Sequence, residues 1–261
     1  DLENPVPMIE EKRGQIVFKN VSFKYEKAED FALKAINITI NRGETVAFIG
    51  TTGASKTTLL NLIPRLYDVT SGELLIGGVN VKDLTQHELR SRIGFVTQKS
   101  LLFSGTIESN IKYGKEDLPD DVMWAAAEAA QALDFINEKE DKMLSSVSQN
   151  GSNLSGGQKQ RLSIARALAI KPDIFIFDDS FSALDFKTDA RLRAALKDYT
   201  EQATVVIVAQ RVNTIRHADR IYVLDGGEVI GSGTHKELIK NCAEYLEIAS
   251  SQLSKEELEN E

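Results

Sequence analysis

A lysine followed by two threonines, Lys56-Thr57-Thr58, closes the stretch ETVAFIGTTGASKTTLL between Glu44 and Leu60. An apolar strand, Thr45 to Ile49, runs into the loop Gly50-Thr51-Thr52-Gly53-Ala54-Ser55, and Leu59, Leu60, Leu62 and Ile63 then read as a helix. A loop between a buried strand and a helix N-terminus turns several backbone N–H groups into one concavity. The helix dipole adds partial positive charge there and Lys56 adds a full one. That is a phosphate cradle, with Thr57 placed to hold Mg²⁺. The usual pattern has glycine just before the lysine, where this chain has Ser55. If that position needs φ > 0, the serine costs ~1–2 kcal/mol. The plain alternative is a Gly/Ser/Thr-rich turn between strand and helix.

A second stretch, LSGGQKQRLSIARALAIK from Leu154 to Lys171, reads as a helix that Ser155 caps. Leu162, Ile164, Ala165, Leu168 and Ala169 give it a broad apolar face. Gly156-Gly157 bare its first backbone N–H groups, which makes a second anion site. A plain capped amphipathic helix would gain nothing from two glycines that weaken its first turn. Beyond Pro172 comes the run Ile174 to Phe177, closed by Asp178-Asp179. A continuous apolar run is a fully buried, usually parallel strand. Acids at its C-terminal end sit where open α/β sheets bind ligands. Asp178 suits Mg²⁺ through water, and Asp179 suits orienting an attacking water. Ser182-Ala183-Leu184-Asp185 follow as a turn and helix start. Gln98 leaves a short buried strand (Ile93 to Thr97) and reads either as a contact to Mg²⁺ or water or as a polar strand exit. Gln210 ends another buried strand, TVVIV from Thr204. Tyr25 ends a first strand and, from its position alone, is an edge-strand tyrosine before it is a base-stacking one.

These residues need a scaffold, and the rest of the chain supplies one. Residues 15–25 alternate apolar and polar, as in an antiparallel strand with one wet face, and residues 33–40 read as its partner. Gly72 to Val81 reads as a hairpin turning at Gly77-Gly78. Thr85 with Glu88 forms a capping box ahead of a short helix. Residues 106–144 carry no strand signal, and DDVMWAAAEAAQALDFI from Asp120 reads as one helix with two acids in its first turn. Ser145 to Asn153 is a polar loop, and Ile221 to Ile230 a last hairpin. Asp1 to Pro5 reads as a linker entered in mid-chain, and SKEELENE from Ser254 as a frayed acidic tail.

With 261 residues, the chain is sized for one large α/β domain or a domain with a smaller insert. A net charge of −8 disfavours nucleic acid and anionic membrane surfaces. The single Cys242 excludes an internal disulfide. No stretch reaches the ~20 apolar residues of a membrane span.

Taken together, the pieces resemble the nucleotide-binding domain of an ATP-binding cassette (ABC) transporter, over roughly residues 15 to 245. The order carries the resemblance: the phosphate loop, Gln98, then LSGGQ (Leu154, Ser155, Gly156, Gly157, Gln158), then a strand ending in two acids. LLFSGTIESNI (Leu101 to Ile111), GQKQRLSIARAL and GTHKEL (Gly233 to Leu238) look like exporters. The resemblance implies a P-loop ATPase core with a mostly parallel sheet, an antiparallel β subdomain and a helical subdomain at about residues 100–170. A linker (1–14) and an acidic C-terminal tail (246–261) flank it. It implies ATP and Mg²⁺ as cofactors. Tyr25 then stacks on adenine, reversing the reading from position alone. Gly50, Thr51, Thr52, Gly53, Ala54, Ser55, Lys56, Thr57 and Thr58 surround the phosphates, and Thr57, Gln98 and Asp178 share the metal. Ser182, Ala183, Leu184 and Asp185 stand at the family's D-loop. It also implies a head-to-tail pair of cassettes at the cytoplasmic face of a membrane. Each ATP then lies between one cassette's phosphate loop and the other's LSGGQ. Transmembrane domains dock near Gln98 and Ser145 to Gly151.

Four departures qualify this. The family's glutamate after Asp178 is Asp179, and its histidine in VAHR is Gln210. Glutamine bonds a γ-phosphate but carries no charge. Ser55 replaces glycine, and Gln149-Asn150 stands where exporters show an acid and arginine. Asp179 and Gln210 together resemble the degenerate subunit of a heterodimeric exporter, which builds a slow site and lends an intact LSGGQ to a non-identical partner. The alternatives are a fully active ATPase in a homodimer, a soluble cassette protein of DNA repair or translation, and a structural pseudo-ATPase that binds no nucleotide.

Overall fold

The computed structural model describes residues 5–182, 184–254, 256 and 258. Its strands are β1 (Ile16–Phe23), β2 (Leu33–Ile40), β3 (Thr45–Gly50), β4 (Ser71–Ile76), β5 (Val79–Asn80), β6 (Ile93–Val96), β7 (Gly105–Thr106), β8 (Ser146–Val147), β9 (Ile174–Asp178), β10 (Thr204–Val208), β11 (Arg220–Asp225) and β12 (Glu228–Gly233). Its helices are α1 (Lys56–Leu62), α2 (Gln86–Ser91), α3 (Ile107–Ile111), α4 (Asp120–Ala129), α5 (Leu133–Asn137), α6 (Gly156–Ala169), α7 (Phe186–Thr200), α8 (Val212–Ile215), α9 (His235–Asn241) and α10 (Ala243–Ser250).

The central sheet runs β12-β11-β3-β10-β9-β6. Its strands are parallel except for β12, which forms a hairpin with β11. β3, β9 and β10 carry continuous apolar runs because both faces are covered. Val46, Phe48, Ile174, Ile176, Val206 and Val208 face one core, shared with α1 and a second sheet. Ala47, Ile49, Phe175, Phe177, Val205 and Ile207 face the other, shared with the helices from α3 onward. The second sheet is antiparallel, in the order β2-β1-β4-β5, and pairs residues 16–23 with 33–40 as their alternation predicts. The hairpin turns at Gly77-Gly78.

Several expectations change. The helix from Asp120 breaks after Ala129. Gln131 adopts φ 56°, its carbonyl accepts from Arg161 Nη1 at 3.0 Å, and the Ala132 N–H returns to Ala127 O at 2.8 Å. All residues around the break are good helix formers, so the α6 arginine overrides local propensity. The polar stretch from Ser145 is not wholly loop, since Ser146–Val147 pairs with Gly105–Thr106. Thr85 caps α2, but Glu88 turns outward to the Met8 N–H at 3.4 Å and does not close the box. The packed body also runs past residue 245: Ala249 and Leu253 are buried. Among the described residues, no helix is long and apolar enough to cross a membrane.

Candidate functional site

Four parallel strands, adjacent in the order β3-β10-β9-β6, point their C-terminal ends to one edge. Each delivers a residue singled out by its chemistry. After β3 comes the phosphate loop, after β10 Gln210, at the end of β9 the pair Asp178-Asp179, and after β6 Gln98. This is the ligand edge of an open α/β sheet.

The loop is shaped by its glycines and by one exception. Gly50 ends β3 at φ 157°, and a Cβ there would lie 2.0 Å from the Leu224 carbonyl of β11. Only glycine fits so close a neighbour. Ser55 lies in the left-handed region at φ 65°, ψ 23°. The position therefore demands the conformation that a glycine supplies freely, and the serine bears that strain. Ala54 is buried against the core, whereas Thr51, Thr52 and Gly53 are exposed. Thr51 Oγ1 donates to Asp225 Oδ1 at 3.2 Å, so the turn after β11 also borders the loop. The sequence reading missed Asp225, which looks like an ordinary hairpin-turn acid.

Lys56 Nζ donates to the carbonyls of Gly50 at 2.9 Å and Thr51 at 2.8 Å. It thus fastens its own loop. Burial lowers its pKa, and the charges of Asp178 and Asp179 partly offset this. Thr57 Oγ1 donates to Asp178 Oδ1 at 3.2 Å. Asp178 is 4% exposed. Burial holds its carboxyl above the ordinary carboxylate range and Asp179 adds to the effect; the Thr57 hydroxyl and Lys56 oppose it. A desolvated carboxylate beside a second acid and a threonine hydroxyl is a hard oxygen donor set, of the kind Mg²⁺ takes together with phosphate oxygens and water.

Asp179 sits at φ 46° and is 8% exposed. Its Oδ2 accepts from Gln98 Nε2 at 3.2 Å and from Gln210 Nε2 at 3.0 Å. Three residues far apart in sequence thus meet on one oxygen. Tyr25 is 36% exposed. Its hydroxyl shares a 2.9 Å hydrogen bond with Thr58 Oγ1, and its ring meets Phe23 and Tyr67 edge-on at 4.8 and 5.4 Å. Tyr67 was also missed, because an aromatic residue just past α1 carries no periodic signal.

The LSGGQ stretch lies at the start of α6. Leu154 is buried. Ser155 and Gln158 form a reciprocal capping box, with Ser155 N–H to Gln158 Oε1 at 2.9 Å and Gln158 N–H to Ser155 Oγ at 3.3 Å. Nothing lies within 4 Å of a Cβ built on Gly156. Among the described residues, no hydrogen bond joins this stretch to the phosphate loop. The link between the regions is indirect: Ser100, just past Gln98, donates to Gln160 of α6. Ser182 Oγ donates to the Asp179 carbonyl at 2.8 Å, Leu184 is buried, and Asp185 caps α7 through the Thr188 N–H at 2.9 Å. Ala183 lies outside the described residues.

Residues 33–182 match the family model described as ABC transporter. The chain belongs to the ABC transporter family. It is 45% identical, over 97% of its length, to a putative multidrug export ATP-binding/permease protein of Staphylococcus aureus strain NCTC 8325. Identity to the corresponding protein of the bovine strain RF122 is 44%. The fold superposes on a bacterial Atm1-family ABC exporter with ATP bound at a TM-score of 0.92, with 34% identity over 98% of this chain. The chain spans 44% of the length of each of these proteins. It is an exporter-type ATP-binding cassette, with the antiparallel subdomain and parallel core that its sequence implies. ABC cassettes bind ATP with Mg²⁺, and the oxygen donors gathered at this edge fit that pair.

Proposed function

We propose that this cassette holds Mg-ATP against a second cassette and hydrolyses it slowly, as the ATP-operated half of an exporter at the cytoplasmic face of a membrane. The observation that carries the reading is the Asp179 carboxylate, which shares one oxygen between two glutamine amides. A carboxylate that orients water needs a free lone pair in the right place. Asp179 is one methylene shorter than glutamate, and two donors already hold its Oδ2. A displacement of ~1 Å costs ~10²-fold in rate. Gln210 contacts the γ-phosphate without carrying charge or shuttling a proton.

In this reading Tyr25 stacks on the base, and the amides from Gly50 to Thr58 with Lys56 grip the phosphates. Thr57, Asp178 and Gln98 hold Mg²⁺, whose charge offsets that on the phosphates. Gln98 uses its Nε2 on Asp179, which leaves Oε1 for the metal. Ser155, Gly156, Gly157 and Gln158 serve the partner's ATP, so the chain lends an unaltered surface while its own site is slow. That asymmetry fits a non-identical partner.

A second reading is a full ATPase in a homodimer. The 45% identity over 97% of the chain to a protein described as a putative multidrug export ATP-binding/permease protein favours it. Turnover decides between them. The double change Asp179→Glu with Gln210→His is expected to raise steady-state hydrolysis in the assembled transporter by about 10-fold or more. An unchanged rate, or a wild-type rate already near ~1–10 s⁻¹, supports the homodimeric motor.

A further inference from the structure

The segment between β10 and α8, residues 209–211, carries Gln210. It is held by a residue from the far end of the chain. Gln252 follows α10, and its side-chain amide bonds main chain on both sides of position 211. Its Oε1 accepts from the Val212 N–H at 2.8 Å, and its Nε2 donates to the Gln210 carbonyl at 2.8 Å. The amide thus occupies the slot that a peptide group of a neighbouring strand would fill. No other side chain of that length offers a donor and an acceptor in this order. Gln252 is itself fixed, since its N–H and that of Leu253 return to the Ala249 carbonyl at 3.0 and 2.8 Å, and Ala249 and Leu253 are buried.

From this clamp the contacts run straight to the reactive edge. The Gln210 side chain reaches Asp179 Oδ2 at 3.0 Å, and the Asp179 N–H donates to the Val208 carbonyl at 2.8 Å. We infer that Gln252 is a positioning residue for hydrolysis: it fixes the backbone of Gln210, and through it the Asp179 carboxylate, without touching nucleotide. The end of the chain beyond α10 is then part of the hydrolytic apparatus, although none of the nucleotide-binding side chains lies there. The inference rests on the proposed roles of Asp179 and Gln210, and its test separates the two.

The test compares Gln252→Met, which keeps length and loses both hydrogen bonds, with the unaltered transporter. Amide hydrogen exchange over residues 209–213 reads the clamp whether or not ATP is hydrolysed. Exchange there is expected to quicken by about 10-fold while α1 and β9 stay unchanged. Turnover is expected to fall by about 10-fold, short of the ~10²-fold of a 1 Å misplacement, with KM for Mg-ATP held within a factor of about two. In a Gln210→Ala background the second change should have no further effect, because residues acting through one another are not additive. Unchanged exchange would overturn the clamp. Quickened exchange with unaltered turnover, or additive losses in the double variant, would overturn the positioning role. A Gln210→Ala variant that hydrolyses at the full rate would instead overturn the role proposed for Gln210, leaving the exchange result to judge the clamp.

Discussion

The phosphate loop and the LSGGQ stretch are both glycine-bearing helix starts, yet the fold treats them in opposite ways. Around the phosphate loop the charged and carboxylate side chains are held from within the chain. Lys56 closes on two loop carbonyls, Thr57 on Asp178, and two glutamines on Asp179. At the start of α6, Ser155 and Gln158 pair with each other in a local capping box, and Gly156 faces open space. One region is organised by four strands of its own sheet. The other is a capped helix start whose first turn stands open at Gly156. Side chains bonded to one another within one chain are felt when that chain is studied alone; an open helix start is not.

The comparison breaks most visibly at Lys56. Lys56→Ala is expected to weaken Mg-ATP binding to the isolated cassette by about 100-fold, ~2.8 kcal/mol. Calorimetric titration measures it, and retained affinity would move the phosphate grip elsewhere.

Asp178 tests the energetic side of the same region. Burial raises its pKa, so the folded chain holds that proton more tightly than the unfolded one. Its contribution to stability is therefore complete below the ordinary carboxylate pKa and is lost as pH rises through the raised value. Asp178→Asn removes that loss. The variant should melt about 2–4 °C higher at pH 7, and converge with the wild type near pH 4, while Mg²⁺ no longer strengthens ATP binding. A lower Tm at neutral pH would contradict the sign.

Ser55 sharpens the comparison from the strained side. Ser55→Gly relieves the left-handed serine and should stabilise the cassette by about 1 kcal/mol in urea unfolding, with ATP affinity equal or better. Gly156 is the smallest effect and the most discriminating. Gly156→Ala meets no neighbour and should stabilise the isolated chain by about 0.5 kcal/mol. Hydrolysis by the assembled transporter should fall, because the bared N–H groups are screened. A variant that is both more stable and fully active would reduce the double glycine to an ordinary helix start.

How much of this was legible before folding depends on the distance over which each feature is decided. The strand into the phosphate loop, the cap at Ser155, the buried run before Asp178 and the hairpin at Gly77-Gly78 are local, and pattern alone reads them. So does the family, since the order of its motifs lies along the chain. The break at Gln131 was not legible, because Arg161 imposes it from another helix. Nor was the αL conformation of Ser55, which the sequence posed only as a condition.

What the sequence determined by itself was the list of parts: a glycine-bearing loop ending in Lys56-Thr57-Thr58, two acids at a strand end, two glutamines leaving strands, and a glycine-bearing capped helix start. Tertiary structure decided which of them meet. The strands follow in the order β3, β6, β9, β10 along the chain but lie as β3-β10-β9-β6 in the sheet. That rearrangement brings Gln98 and Gln210 to one oxygen of Asp179, and among the described residues no hydrogen bond joins LSGGQ to the phosphate loop. Periodicity and turn chemistry act over a few residues, whereas strand order is set by which apolar faces can be buried together across the whole domain.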